Sequence, residues 1–414
     1  MGGEVDGSRY LTAREAATAL GVALPTLYAY VSRGLVRSEG GGEGRRARRY
    51  RAEDILRLKG RADQRRDPAR AAEAALYLGA PVLESAITLI DSGHLYYRGR
   101  DAVALASSRP VEAVVTLLWV GDDDPPLPAL VAADGRALAP PLRAARRALG
   151  GAPPLAVMQA LLPVAAAGDP AAYDLRPTAV VATGARILWL LALAAVGRDD
   201  SDQGLAATLQ GVWAPGDPRA AALIGAALTL CADHELTAAT FVARCVASVN
   251  STPYAVVQAG LAAAQGIDHG AQTRRVEAFL GEAGTPGGVR GTIERRLARG
   301  EALPGFGHAL YPAGDPRGAA LLDLAGAAYP DAPAVALARA TVAEADALLG
   351  VAPSVEVGLV TVAATLGLPS DGALILFVLG RAIGWIAHAI EQYAAHAPIR
   401  PRARYVGVPP TSAP

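Results

Sequence analysis

Three histidines of this chain stand in short settings suited to proton chemistry. They read Ala232-Asp233-His234-Glu235, Gly266-Ile267-Asp268-His269-Gly270-Ala271 and Pro304-Gly305-Phe306-Gly307-His308-Ala309-Leu310-Tyr311, the last followed by Gly314-Asp315-Pro316-Arg317. The 414 residues hold only 6 His, so placing half of them beside glycine or acidic neighbours is a pointed use of a scarce residue. Imidazole is the side chain best suited to donate or accept a proton near neutral pH. Arg381 adds a second signal, because it interrupts the otherwise apolar stretch Ala373–Ile390. A guanidinium is costly to bury without an anion, and a ligand carboxylate would supply one. His388, seven residues later on the same helix face, reads instead as a satisfied core histidine. His94 and His396 stand in no motif, while Asp233 and Glu235 read as residues that orient or cap around His234.

The elements that must position these groups read as helices. Hydrophobic residues make up 52% of the chain and aromatics 5%. Ala, Leu and Val dominate and β-branched runs are short, which predicts an all-α protein of two or three domains. Net charge is zero, 39 basic against 39 acidic side chains, but residues 1–66 carry 14 basic and 8 acidic, leaving 25 against 31 for the rest. That asymmetry points to a small polyanion-binding head on an acidic body. Cys231 and Cys245 are the only cysteines and read as two buried thiols in a reducing compartment. No charged-then-apolar leader is visible, and Asp6 breaks a myristoylation pattern. The longest apolar run, Ile187–Val196, is too short to cross a bilayer. These features predict a cytoplasmic protein that makes no use of a membrane.

In the head, Thr12 and Glu15 have capping-box spacing before a helix that Gly21 can end. After a short turn, Pro25–Arg33 reads as a second helix stopped by Gly34, which gives helix-turn-helix spacing. Residues 9–62 resemble the head of mercury-resistance-regulator-type transcription factors. That resemblance implies a wing, here the Gly40–Gly44 loop followed by Arg45 to Arg51, and a closing helix near Ala52–Ile55. It also implies duplex DNA as a partner, contacted by Thr26, Tyr28, Tyr30 and Arg33 and by the wing residues Arg45, Arg46, Arg48 and Arg49. A pair of heads would be needed for useful affinity. Ala23 departs from the pattern, since it stands where a Ser or Asp cap usually precedes the recognition helix. A charged linker, Arg61 to Arg70, leads into the body.

From about residue 72 onward the chain resembles citrate synthase. The resemblance rests on the three histidine motifs and on Glu84–Asp91, Leu95–Asp101, Gly380–His388 and Ile399–Arg402. It implies a helical large domain, residues 67–267 and 361–414, and a small helical domain, 268–360, that closes over a cleft. Family members work as homodimers. Condensing a thioester methyl with a 2-oxo acid needs a base, a donor to the enolate oxygen, an acid for the ketone and cationic forks for the carboxylates. The resemblance gives the thioester carbonyl to His269 and the ketone oxygen to His308, with Glu356 in the base position. His234, Arg317 and Arg381 would hold oxaloacetate, and Arg400 would complete the clamp from the partner subunit. Acetyl-CoA enters as co-substrate, with no permanently bound cofactor and no metal.

Three departures cluster on the thioester side. Pro353-Ser354-Val355-Glu356-Val357-Gly358 replaces the family's Asn-Val-Asp-Phe element, so a Glu stands where the base is an Asp. The extra methylene moves the carboxylate by on the order of 1 Å, and a displacement of that size can cost about a hundredfold in rate. Pro312 stands where many members place Arg or Lys near the CoA phosphates, which leaves Arg290, Arg295, Arg296 or Arg299 to meet them. Gln272-Thr273 replaces a common Ala-Asn pair. Two expectations follow: a citrate synthase-type acyltransferase carrying a helix-turn-helix head, or a transcriptional regulator that senses oxaloacetate or citrate through the old site. Within the first, propionyl-CoA and 2-methylcitrate synthesis are an alternative to acetyl-CoA.

Overall fold

The computed structural model describes residues 10–33, 35–40, 48–52, 54–55, 83–122, 124–131, 136–403 and 405–408. The chain divides into two compact units, Met1–Glu84 with Pro401–Pro414, and Ser85–Arg400.

In the first unit the helices Ala13–Leu20 and Leu24–Ser32 follow a strand, Tyr10–Thr12. The capping box forms: the Thr12 amide donates to the Glu15 carboxylate (2.8 Å) and the Glu15 amide to the Thr12 hydroxyl (3.3 Å). Gly21, at φ 64°, closes that helix in the left-handed region. The second helix starts at Leu24 without a side-chain cap, since Ala23 has no acceptor to offer, and Pro25 begins it instead. Strands Ser38–Gly40 and Arg48–Arg51 pair antiparallel, and Tyr10–Thr12 adds to the other side of Arg48–Arg51. Leu20, Leu27, Val36, Tyr50 and Ile55 close a small core. Ala52, Asp54 and Ile55 are helical, and Asp54 receives a two-pronged bond from Arg37 (3.0 Å each). Gly34, most of the wing loop with Arg45 and Arg46, and the Arg61–Arg70 linker lie outside the described residues.

The second unit opens with a three-stranded antiparallel sheet, Thr88–Asp91, His94–Tyr97 and Arg100–Asp101. Helices follow, packed around Pro177–Val196 and Gly372–Ala395. The Ile187–Val196 run is thus the second half of a longer helix. Thr183, Gly184 and Arg186 break its apolar pattern and hide its first half. Both helices are long and apolar enough to cross a membrane, with mean hydropathy 2.0 and 1.9, but 78% and 94% of their apolar windows are buried inside the protein. They are core helices. Cys231 is buried and Cys245 half-buried, and both are free thiols.

Five helices, Gln272–Ala283, Val289–Ala298, Pro316–Ala328, Pro333–Leu349 and Val355–Thr365, pack largely on one another. Pro316–Ala328 and Val355–Thr365 lie side by side, and both also touch Arg219–Cys231. Val355–Thr365 packs on Gly372–Ala395 as well. This arrangement brings the ends of four helices to one place.

Close helix packing depends on a few glycines. A methyl at Gly260 would lie 2.6 Å from Cε2 of Trp385, a side chain with no exposed surface. Gly260→Ala should therefore lower the unfolding free energy by about 1–3 kcal/mol through overpacking. Gly281→Ala, a helix position with open space around it, should raise it by about 0.5–1 kcal/mol. Urea unfolding followed by tryptophan fluorescence measures both, and equal effects of the two would contradict the packing argument.

Candidate active site

Each histidine of interest is held by a turn at a helix end. His234 follows Arg219–Cys231 and precedes Ala238–Ala247, whose cap is Thr237. His269 lies in the turns before Gln272–Ala283. His308 occupies a loop in which Gly305, Gly307 and Gly314 take φ of 79°, 77° and 113°, angles that exclude most side chains. Glu356 sits in the first turn of Val355–Thr365, and Arg317 in that of Pro316–Ala328.

His269, His308 and Glu356 line one cavity of about 750 Å³. The Ser354 hydroxyl, at the cap of the Glu356 helix, reaches both the Glu356 carboxylate and the Gly305 carbonyl, with one proton to give between them. His234, Arg317 and Arg381 are 5%, 2% and 1% exposed and do not line the cavity. They join it through ring contacts. The His234 and His308 rings lie 5.3 Å apart, edge to face, and Tyr311 lies 5.6 Å from the first and 5.0 Å from the second. Nε2 of His234 is 3.0 Å from the Tyr311 hydroxyl. Phe377 lies 5.7 Å from the His269 ring and 5.1 Å from the Arg381 guanidinium.

The two buried arginines differ. Nε and Nη2 of Arg317 grip Asp315 at 3.0 and 2.7 Å. Burial works against the Arg317 charge, but Asp315 more than offsets it and holds the group cationic. Arg381 donates to the Cys231 carbonyl (2.9 Å) and the Thr237 hydroxyl (3.2 Å), and among the described residues no carboxylate lies within 4.0 Å of it. Burial, followed by the repulsion of Arg317, pushes its pKa down. This is a cation in want of an anion.

All three rings are held neutral. Burial lowers the pKa of His234 well below the ordinary value, with Arg317 and Arg381 adding to it. Burial and Arg381 push His269 down to about 4. Burial and Arg317 lower His308. Nδ1 of His308 accepts from the Leu310 amide at 3.2 Å, so the proton of the neutral ring is on Nε2. Nε2 of His269 is buried without a hydrogen-bond partner.

The other expected residues are spread more widely. Arg400 is exposed and does not line the cavity. Of the four arginines proposed for CoA, Arg296 alone lines it, and Glu282 and Glu301 already hold its fork. Arg290 pairs with Glu294 and Glu344, Arg299 with Glu301, and Arg295 bonds Thr292. Arg275 also lines the cavity and was missed, as was Tyr311, though Tyr311 stands in the His308 motif itself. His388 is buried as expected but not fully satisfied. Its Nε2 lies 3.2 Å from Asp233, off the axis a hydrogen bond requires. In the first unit Thr26, Tyr28, Arg33, Arg48 and Arg49 are exposed and Tyr30 half-buried.

A helical fold with this cluster at its helix ends belongs to a known class. Residues 76–402 match the family described as "Citrate synthase, C-terminal domain", and residues 10–62 match a helix-turn-helix domain. The chain belongs to the citrate synthase family. It is 35% identical over 198 residues to the Synechocystis citrate synthase, covering 46% of this chain and 50% of that protein. It is 31% identical over 183 residues to the 2-methylcitrate synthase of Mycobacterium tuberculosis, covering 44% and 47%. The chain spans about half the length of the curated relatives it matches. Among solved structures, Pyrobaculum aerophilum citrate synthase aligns with TM-score 0.71 and 26% identity over 80% of this chain and 92% of that one. The Thermotoga maritima citrate synthase, at 24% identity and TM-score 0.70 over 81% and 96%, shares the fold.

Ring neutrality has a measurable sign. The folded pKa of His269, about 4, lies below the unfolded value near 6.5, so the unfolded chain takes up the proton first. Stability is therefore complete above about pH 6.5 and is lost as pH falls toward the folded pKa. Between pH 7 and 5, His269 alone should remove on the order of 2 kcal/mol from the urea unfolding free energy, and His269→Gln should abolish that share. A free energy independent of pH over this window would show that the ring is not held neutral.

Proposed function

We propose that the cavity condenses acetyl-CoA with oxaloacetate to give citrate and CoA. The observation that carries this reading is the convergence of two neutral imidazoles and a carboxylate, His269, His308 and Glu356, on one cavity beside two buried arginines. In the proposed cycle the orphaned Nε2 of His269 donates to the thioester carbonyl, stabilising charge as it develops on oxygen. Glu356 removes a methyl proton. The resulting enolate attacks the ketone carbon of oxaloacetate, and His308, whose proton sits on Nε2, gives it to the ketone oxygen; the proton taken by Glu356 then restores the ring. His234 and the free faces of Arg317 and Arg381 hold the carboxylates, with Arg400 from a second copy of the chain completing the clamp. Water then cleaves the thioester of the bound product and releases CoA as its thiol. Arg275 and Arg296 face the cavity where Pro312 cannot serve the CoA phosphates. A cytoplasmic dimer, with a small lobe spanning 268–360 that closes over the cleft, belongs to the same proposal.

A thiol-release assay tests it directly. Wild-type protein should liberate CoA from acetyl-CoA only when oxaloacetate is present, and Glu356→Gln should slow turnover by about 10²–10⁴-fold. Propionyl-CoA run in parallel separates the 2-methylcitrate reaction. No release with either thioester, while oxaloacetate still raises the melting temperature, would replace the enzyme with a sensor. An unchanged rate in Glu356→Gln would remove Glu356 from the mechanism.

We further propose that the first unit contacts duplex DNA, as its exposed Tyr28, Arg48 and Arg49 and its helix-turn-helix match support. Thr26, Tyr30 and Arg33 complete the proposed contact set. Fluorescence anisotropy on a labelled duplex should give binding that weakens steeply with salt. Replacing Arg45, Arg46, Arg48 and Arg49 by Ala should lower the log–log salt slope by up to about 0.9 per lost phosphate contact. An unaltered slope would take the wing out of the interface.

A further inference from the structure

A buried polar network lies immediately behind His234, and the condensation scheme makes no use of it. The Asp233 carboxylate has no exposed surface. Its Oδ2 accepts from the Thr88 hydroxyl at 2.6 Å and from the Glu235 amide at 3.1 Å. The second bond closes a tight turn around His234 that ends at Glu235, a non-glycine residue at φ 53°, and strain of that kind persists only where neighbours enforce it. The turn sets the direction in which His234 leaves the chain toward Tyr311. Oδ1 of Asp233 has a single neighbour of note, Nε2 of His388, 3.2 Å away. The other ring nitrogen of His388 lies 3.3 Å from Nη1 of Arg244. Arg244 in turn holds Glu391 at 3.0 Å and Gln392 at 3.1 Å, and Glu391 reaches the Ala86 amide at 2.7 Å.

The network therefore ties the first strand of the sheet, the His234 turn, the Ala238–Ala247 helix and the Gly372–Ala395 helix together. The last of these carries Arg381, two turns before His388 on the same face. Between them Gly384 lets the helix seat directly on the turn, since a methyl there would lie 2.5 Å from Oδ1 of Asp233. Burial works against the Asp233 charge, but His388 and Arg381 together hold it ionised, and Asp233 is the leading favourable influence on the Arg381 charge. A purely structural purpose would be met more cheaply by apolar side chains of the same volume.

We infer that His388 and Arg244 are positioning residues for the oxo-acid: acting through Asp233, they fix the turn that aims His234 and the helix that presents Arg381. The inference deepens the functional reading above and rests on it for the identity of the ligand. Its test uses the full chain, with oxaloacetate as probe. His388→Leu should weaken oxaloacetate binding by about tenfold or more, seen both in calorimetric Kd and in KM, while the KM for acetyl-CoA stays unchanged. His388→Gln, which keeps a donor toward Asp233, should recover most of the loss. Leu161→Ala, a buried change in the Pro154–Ala167 helix, should lower stability and leave oxaloacetate affinity alone. Ring ¹⁵N signals of His234 in histidine-labelled protein, assigned with His234→Gln, should shift in His388→Leu and not in Leu161→Ala.

Unmoved His234 signals together with unchanged oxaloacetate affinity in His388→Leu would overturn the inference. Should that variant not fold, Thr88→Val removes the hydrogen bond from Thr88 to Asp233 and is read in the same way. Failure of the functional reading looks different. Wild-type protein that binds oxaloacetate without turnover refutes the enzyme and leaves Kd to decide the inference. Wild-type protein that does not bind oxaloacetate refutes the substrate, and the His234 signals then decide alone.

Discussion

The structure turns on two guanidinium groups kept almost wholly out of water. Arg317 and Arg381 are 2% and 1% exposed, and moving such a charge from water into protein costs several kcal/mol even after relaxation. Asp315 meets that cost for Arg317. Among the described residues Arg381 has only a carbonyl and a hydroxyl as hydrogen-bond partners. The fold accepts the deficit because its helices are locked elsewhere. Gly380 lets the Arg219–Cys231 helix approach Gly372–Ala395 to backbone distance, Gly260 lets the Trp385 indole of that helix lie against the Pro253–Ala264 backbone, and most of Gly372–Ala395 is buried. Stability is thus given up at a place where a bound anion would restore it.

The same cations add to what burial does to the histidines. Burial favours the neutral imidazole, and a nearby guanidinium reinforces the effect. His234 and His308 feel Arg317, and His234 and His269 feel Arg381. Neutral rings can donate a hydrogen bond to an oxygen without bringing a cation into the site. The amide of Leu310 then decides which nitrogen of His308 carries the proton. Burial and the arginines thereby keep the rings neutral while the Leu310 amide sets the tautomer of His308, and neither effect is visible from the histidines taken singly.

What the sequence disclosed follows from this. Local signals were legible where the physics is local. The Thr12–Glu15 capping box forms as read, the helices run through the apolar stretches, and the glycines around His308 take the left-handed angles their residue type allows. Partnerships across the fold were not legible. Tyr311 stands in a motif already marked, yet its role follows from a 3.0 Å contact with a ring 77 positions away. His388 passed for a satisfied core residue because nothing near it in sequence announces Asp233 or Arg244. The Asp315–Arg317 pair was open to inspection, two positions apart, but only burial turns that neighbour from a helix cap into a counterion.

The glutamate at position 356 shows how a fold can absorb a change that sequence comparison makes look damaging. A Glu in place of an Asp carries its carboxylate about one methylene further, and in a rigid site that misplaces a base. Here the longer arm does not swing freely. Ser354, at the cap of the same helix, draws the carboxylate back over the helix N-terminus. Ser354 is itself anchored to Gly305, in the loop that carries His308. The carboxylate is held by the hydroxyl that also bonds the Gly305 carbonyl, two residues before Gly307 and three before His308. One hydroxyl thus ties the Glu356 carboxylate to the loop that carries His308, which is the geometry the proposed base and acid would need.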